Sequence, residues 1–175
     1  HAANAFFLSP FNEAAIFTAD GRGEHDTGLS GIGQDQNIRV FNRIEYPHSI
    51  GLFYGSFTEF LGYRINNDEW KVMALGALSN DEKQKHDYYK KLSSLVILKG
   101  QGKYEIDLNY FKYFLPDQKG FYSDALIELI GKPRMPNQPL SEEHYALAYA
   151  VQKVTEDTLV YILDHLYKKT NTKNL

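Results

Sequence analysis

Cysteine is absent from the chain, which removes disulfides, thiolate zinc sites and cysteine nucleophiles together. Any metal must then be held by histidine and carboxylate. No apolar run approaches the roughly 18 to 20 residues of a membrane span, and no charged start followed by an apolar stretch marks a signal peptide. A cytoplasmic protein with no membrane partner is expected. A basic surplus is missing as well: the formal charge is -3 at pH 7, with Lys and Arg interspersed among Asp and Glu. Without a cationic stripe to neutralise phosphates, no nucleic-acid partner is expected. Neither an internal repeat nor a low-complexity tract interrupts the sequence.

Aromatic carbon is abundant instead, with 11 Phe, 13 Tyr and 1 Trp in a chain that is 43% hydrophobic. Such a composition folds. The 175 residues suit one domain able to bury roughly 70% of its unfolded surface. The chain begins at His1 without a methionine, and "TNTKNL" follows a long helix as though a strand were about to begin, so it reads as part of a longer protein.

The pattern along the chain predicts a mixed α/β fold. "EAAIFTA" runs as an apolar strand into Asp20, and "TGLSGIGQ" and "IRVFNRIEY" read as two more strands across a polar turn at Asp35 to Asn37, giving a three-stranded antiparallel meander over residues 13 to 46. After Pro47, Ser49 can cap a helix whose Phe53, Phe57, Phe60 and Leu61 recur at helical spacing, ending at Gly62. "EWKVMAL" reads as a short buried segment. Residues 80 to 92 form a charged, solvated helix opened by Asp81 and Glu82. "LVILKGQGKYEID" is a small hairpin turning at Gly100 to Gly102, residues 116 to 139 are irregular apart from a short helix over Asp124 to Ile130, and Ser141 to Lys169 is a long helix with Glu in its first turn and Lys in its last.

The chemistry gathers where the first strand ends. Asp20 followed by Gly21-Arg22-Gly23 brings a carboxylate and free backbone N–H groups to one tight turn, which suits phosphate together with a cation. An Asp-Gly pair also serves simply to reverse a chain. Arg22 either pairs a phosphate or faces water. Downstream, His48 and Ser49 precede a helix carrying Gly51 and Gly55. Its N-terminus can offer N–H groups to a nucleotide, whereas Ser49 can equally act as a cap, and small residues at 51 and 55 also let another backbone approach.

The order of these motifs resembles the carbamoyltransferase family of the Nod-factor and antibiotic type, whose amino-terminal domain is similar to the universal tRNA-threonylcarbamoylation protein. The likeness rests on "HAANAFFLSPF" at 1 to 11, "DGRGE" at 20 to 24, "YPHSIGLFYGSFTEFLG" at 46 to 62, "EWKVMAL" at 69 to 75 and "QKVTE" at 152 to 156. It implies that residues 1–175 form a piece of that amino-terminal domain, mainly its second half, with an actin-like, sugar-kinase and heat-shock-type ATPase fold. It also implies an ATP-dependent O-carbamoyltransferase, in which carbamoyl phosphate and ATP give carbamoyl adenylate and the carbamoyl group passes to an acceptor hydroxyl. The cofactors implied are ATP and a divalent metal, Fe(II) or Mg. The partners implied are carbamoyl phosphate, a small-molecule or glycan acceptor with a free hydroxyl, and the rest of the same chain, including a carbamoyl-phosphate-processing domain.

Carried onto this sequence, the resemblance makes His1 the second member of a His-x-x-x-His metal pair and Asp20 a ligand facing both metal and nucleotide. Gly21 to Gly23 becomes the phosphate-binding turn. Glu69 and Lys71 match a Glu-x-Lys-Val-Met segment, as an ion pair supporting the site or as direct contacts. Departures are "ALGALS" at 74 to 79, where the family has Gly-Leu-Ala-Pro-Tyr-Gly, and Ala146, where many members have Asp. The first metal histidine, the general base and the Gly-Gly-Val-Ala-Leu-Asn nucleotide motif would lie outside these residues, so they fall short of a complete catalyst. Two other readings stand beside this one: an actin-like ATPase or kinase with another acceptor, and a binding domain of the same fold without catalysis.

Overall fold

The three apolar runs between residues 13 and 45 pair as an antiparallel sheet in the order β1-β2-β3, with β1 at Glu13–Ala19, β2 at Asp26–Gln34 and β3 at Asn37–Glu45, in a computed structural model that describes all 175 residues. The expected meander is therefore present. The chain divides into two units, one made of residues 1–51, 98–105 and 158–175, the other of residues 52–97 and 106–157. Its architecture is mixed α/β with six α-helices. No helix is long and apolar enough to cross a membrane.

In the first unit, a short helix α1, Ala2–Phe7, precedes the sheet and has His1 as its N-cap. Its anchor is Phe6, which is buried with Ala14 and Ile16 against Ala2, Leu29 and Ile38. The glycine-rich character of β2 is what admits it. A Cβ at Gly33 would stand 2.5 Å from the Phe6 ring, so the ring lies flat on bare backbone. β2 and β3 slip register between Asp26 and Gly28, a bulge centred on Thr27 that bends the strand and re-aims one side chain. Thr27 is buried and donates its hydroxyl to the carbonyl of His48 at 2.5 Å.

The expected hairpin forms from β4, Val96–Gly100, and β5, Lys103–Ile106. Gln101 and Gly102 both have positive φ, 54° and 71°, the twist that a two-residue hairpin turn demands. Asn42 Nδ2 on β3 donates to the Gln101 carbonyl at 2.7 Å, which fixes the hairpin on the sheet. The last residues run beside the free edge of β1: the Ala15 N–H donates to the Asn174 carbonyl and Asn174 Nδ2 to the Glu13 carbonyl, both at 2.9 Å.

The second unit is helical. Helix α2, Ile50–Phe60, presents Phe53 and Phe57, both fully buried, to Phe111, with ring centroids 5.8 and 6.2 Å away. Each such burial contributes roughly 1.5–3 kcal/mol. Its carboxyl end is held by Arg134, which is buried and spends its fork on three carbonyls, Leu61 at 2.7 Å and Pro136 and Gln138 at 3.0 Å. Helix α3, Glu69–Gly76, departs from the buried segment expected there. Val72 and Leu75 are buried, but Trp70 is 62% and Met73 55% exposed, because a helical turn sends neighbouring apolar residues to different faces. Helix α4, Glu82–Ser93, is capped by Asp81, whose carboxylate accepts the Gln84 N–H at 3.0 Å. Helices α5, Asp124–Ile130, and α6, Glu142–Thr170, follow as expected. Ala146 is fully buried within α6, so its methyl group fills core space.

At the start of α6, one oxygen of Glu142 accepts from Ser79 Oγ at 2.6 Å, Asn80 N at 2.9 Å and Asp81 N at 3.1 Å. These hydrogen bonds, the Ser79 hydroxyl first, hold the carboxyl below its ordinary 4.5. Stability from a depressed carboxylate is present above the ordinary value and lost as pH falls through the lowered one. Glu142→Gln should therefore unfold at lower urea than the wild type at pH 7, with the gap closing below pH 4.5. Urea midpoints followed across that range check this; equal midpoints at pH 7 would show that the charge does not hold the 79–81 turn.

Candidate functional site

The end of β1 delivers Asp20 to a turn closed by the Asp20 N–H on the Thr27 carbonyl at 2.8 Å. Neither Gly21 nor Gly23 has a positive φ, and Gly23 serves the turn by closeness, since a Cβ there would stand 2.4 Å from the Asp26 carbonyl oxygen. The turn sits on the first turn of α2. Ser49 Oγ donates to the Asp20 carbonyl at 2.9 Å, and a Cβ at Gly51 would meet the Cα and N of Gly21 at 3.0 Å and the Asp20 carbonyl oxygen at 3.1 Å. Close approach of another backbone, one of the two roles open for Gly51, is thus observed. Gly55 has only the Ile65 side chain nearby, at 3.3 Å.

The Asp20 carboxylate is shared between two neighbours. Oδ1 accepts the Gly21 N–H at 2.8 Å, and Oδ2 lies 2.9 Å from His1 Nε2. Both side chains reach solvent, His1 at 80% and Asp20 at 41% exposure. An imidazole nitrogen and a carboxylate oxygen are suitable donors for a divalent transition metal, and this pair fits part of a coordination shell. No group of three or more histidine and carboxylate side chains gathers anywhere in the chain, so the remaining ligands of any such ion would come from water or from outside these residues.

Arg22 is exposed, with its guanidinium 4.8 Å above the Tyr46 ring, an arrangement that orients the cation beside the turn. The His48 carbonyl receives Thr27, and its N–H donates to Glu45 at 2.9 Å. Two residues that sequence reasoning missed complete the region. Tyr104 of β5 accepts the Ile50 N–H, the first of α2, on its hydroxyl at 3.0 Å. Burial pushes this phenol up to about 12, so it stays neutral. Thr27, at the bulge, is the second. The signal for Tyr104 lay in the alternation of "KYEI", which turns Tyr104 and Ile106 to the buried face.

Glu69 and Lys71 belong to the second unit. Glu69 accepts the Asn66 N–H at 2.6 Å. Lys71 pairs with Asp68 at 2.7 Å and stands 5.6 and 5.4 Å over the rings of Tyr63 and Trp70. The Lys71 hydrogen bond is the main reason that the Asp68 carboxyl lies below the usual range. Tyr54 gathers residues from three of the quoted segments: its hydroxyl donates to Gln152 at 2.9 Å, and Gln152 donates to Glu156 at 2.8 Å. Burial first, then the charges of Glu69 and Glu156, push the Tyr54 phenol up to about 12.

Comparison with known proteins places this geometry in context. The family model described as carbamoyltransferase N-terminus matches residues 1–175. Among curated proteins, the chain is 34% identical over 176 residues to an uncharacterized protein, sll1178, of Synechocystis, 29% identical over 175 residues to the nodulation protein NolNO of Sinorhizobium fredii, and 27% identical over 175 residues to the nodulation protein NolO of Bradyrhizobium diazoefficiens. The whole chain is covered in each case, but it spans only 28%, 23% and 29% of those proteins.

Because the Gly51 contact is backbone on backbone, Gly51→Ala cannot be absorbed by a side-chain rotation. The Asp20–Gly21 turn should move, while α2, which gains a better helix former, persists. Amide chemical shifts compared between the two proteins should change most at residues 20–23 and 49–52. Shifts unchanged at 20–23 would show that the turn tolerates the extra methyl group.

Proposed function

The chain belongs to the carbamoyltransferase N-terminus family, and on that premise we propose that the protein it comes from is an ATP-dependent O-carbamoyltransferase, acting on an acceptor hydroxyl with carbamoyl phosphate as donor and carbamoyl adenylate as the activated intermediate. In this reading the three-stranded meander begins the second half of an actin-like fold, and the region around Asp20 faces the activated carbamoyl group. A single observation supports it above the others: His1 Nε2 and Asp20 Oδ2, 19 positions apart, come within 2.9 Å.

A divalent cation held there, Fe(II) or Mg, would supply positive charge where the carbonyl oxygen becomes negative, an effect worth several kcal/mol. The chain's own residues do the positioning. His1 and Asp20 hold donors side by side. Ser49 and Gly51 fix the Asp20–Gly21 backbone, so that Asp20 presents its carboxylate without reorganising during reaction. Tyr104, neutral and buried, occupies the Ile50 N–H and keeps α2 starting at one place. Gly21 to Gly23 and Arg22 lie at the same turn, where backbone N–H groups and a guanidinium suit phosphate oxygens. Glu69 and Lys71 act as supports in their own unit. The partners are the rest of the longer chain and a hydroxyl-bearing small molecule or glycan.

Asp20→Asn in the full-length protein tests this reading, since Asn keeps the size and turn preference of Asp and removes only the charge. Carbamoyl transfer to a hydroxyl acceptor, followed by mass gain with ATP and carbamoyl phosphate, should fall about 100-fold or more. Bound metal should fall with it, and unfolding stability should change by less than about 1 kcal/mol. Unchanged turnover with full metal occupancy would return the segment to an ordinary strand turn. Release of ADP with phosphorylated acceptor, in place of pyrophosphate with carbamoylated acceptor, would identify a kinase.

A further inference from the structure

Within the second unit, the faces of α4 and α6 form a cavity of about 160 Å³, open to solvent and lined by Glu82, Lys85, His86 and Tyr89 from α4 and by Tyr149 and Lys153 from α6. The α4 residues recur at i, i+3, i+4 and i+7, and the α6 residues at i and i+4, so each set occupies one helix face. None of them belongs to the Asp20 region.

Two ammoniums and the hydroxyls of Tyr89 and Tyr149 meet here, and the acceptors beside them are the carboxylates of Glu82 and Asp157. Lys85 is only 14% exposed, and its ammonium stands 4.9 Å over the Tyr149 ring and 2.7 Å from Glu82. Lys153 bonds to Asp157 Oδ1 at 2.5 Å, and Tyr89 donates to the other oxygen of the same carboxylate at 2.9 Å. Asp157 is therefore matched by a cation and a hydroxyl, while Glu82, 84% exposed, pairs with Lys85 at the solvent edge. Each ammonium has three donors and gives one to a carboxylate. The Tyr149 hydroxyl and the exposed His86 ring add further donors on the same two helix faces. Donation to Glu82 and Asp157 also holds both lysines above their ordinary 10.5, so both are cations at neutral pH.

We propose that this cavity between α4 and α6 is a binding site for a small oxyanion, a phosphate-sized group held by Lys85 and Lys153 with the Tyr149 hydroxyl and His86 as further donors. The size agrees: about 160 Å³ holds several waters, each about 30 Å³ in the liquid, and is well below the 300–1,000 Å³ of pockets for larger ligands. An oxyanion supplies acceptors on every side and takes up the unspent N–H and O–H groups, which a neutral apolar ligand would leave unmatched. The site is independent of the carbamoyl-transfer reading, because it uses no residue assigned there.

Calorimetric titration of the full chain with inorganic phosphate, at constant ionic strength set with chloride, tests the site. Saturable binding is expected with a Kd near 1 mM or tighter. Lys85→Gln and Lys153→Gln should each weaken it about tenfold or more, and Tyr149→Phe, which deletes one hydroxyl and disturbs packing least, by a few-fold. Thermal unfolding confirms that each variant is folded. Competition by sulfate would assign a tetrahedral dianion, and competition by a dicarboxylate a carboxylate ligand; both support an oxyanion site. Non-saturable heats, or binding that survives both lysine substitutions, would overturn the proposal. So would loss of phosphate binding in Asp20→Asn alone, which would place the anion at the turn after β1.

Discussion

The contact of the Gly21 backbone with the first turn of α2 is the constraint from which the candidate site follows. At 3.0 Å from an added Cβ, neither Gly21 Cα nor its nitrogen can yield as a side chain would, so residue 51 must lack one. Glycine inside a helix costs about 1 kcal/mol relative to alanine. The close approach offsets that cost by letting Ser49 reach the Asp20 carbonyl and by fixing which way the carboxylate points. A second bare position works in parallel. Gly33 seats the Phe6 ring, Phe6 anchors α1, and the N-cap of α1 is the residue that faces Asp20. Two glycines, neither carrying any chemistry, thus determine how an imidazole and a carboxylate meet.

Much of this architecture was legible in the sequence because it depends on local periodicity. The three strands, the hairpin, and the helices opened by Asp81 and by Glu142 with Glu143 announce themselves through alternation, turn residues and end charges within a few positions. Asp20, Gly21 and Ser49 stood out for the same reason. Tyr104 and Thr27 did not, because their partners lie 54 and 21 positions away and are chosen by packing. A register slip of one residue, invisible in composition, is what aims Thr27 inward. The segment "EWKVMAL" misled for a complementary reason. Its apolar content is high on every face, so content alone cannot show which side of α3 meets water.

The second unit relies on a recurring device: charged side chains are spent on the backbone of irregular segments that lack a ladder of their own. Glu142 holds residues 79–81, and Glu59 accepts the Phe121 N–H at 2.6 Å. Arg134 does the same in reverse, offering donors to three carbonyls. These contacts complete the hydrogen bonding of loops that contain Pro133, Pro136 and Gly120. A lysine at position 134 would satisfy fewer of them, since its donors radiate from a single nitrogen while the guanidinium spreads its own across a plane.

The Arg134 clamp also bears on the order in which the chain assembles. Its partner Leu61 is 73 positions away, while Glu142 and Glu59 reach across 63 and 62. Isolated helical turns form within about a microsecond, but closing loops of this length costs chain entropy that must be met before the contacts reward it. The carboxyl end of α2 is itself closed locally, by the Gly62 N–H on the Glu59 carbonyl at 2.8 Å and the Tyr63 N–H on the Thr58 carbonyl at 3.0 Å, so the clamp adds a late, long-range contact to a helix end whose hydrogen bonds are already made nearby.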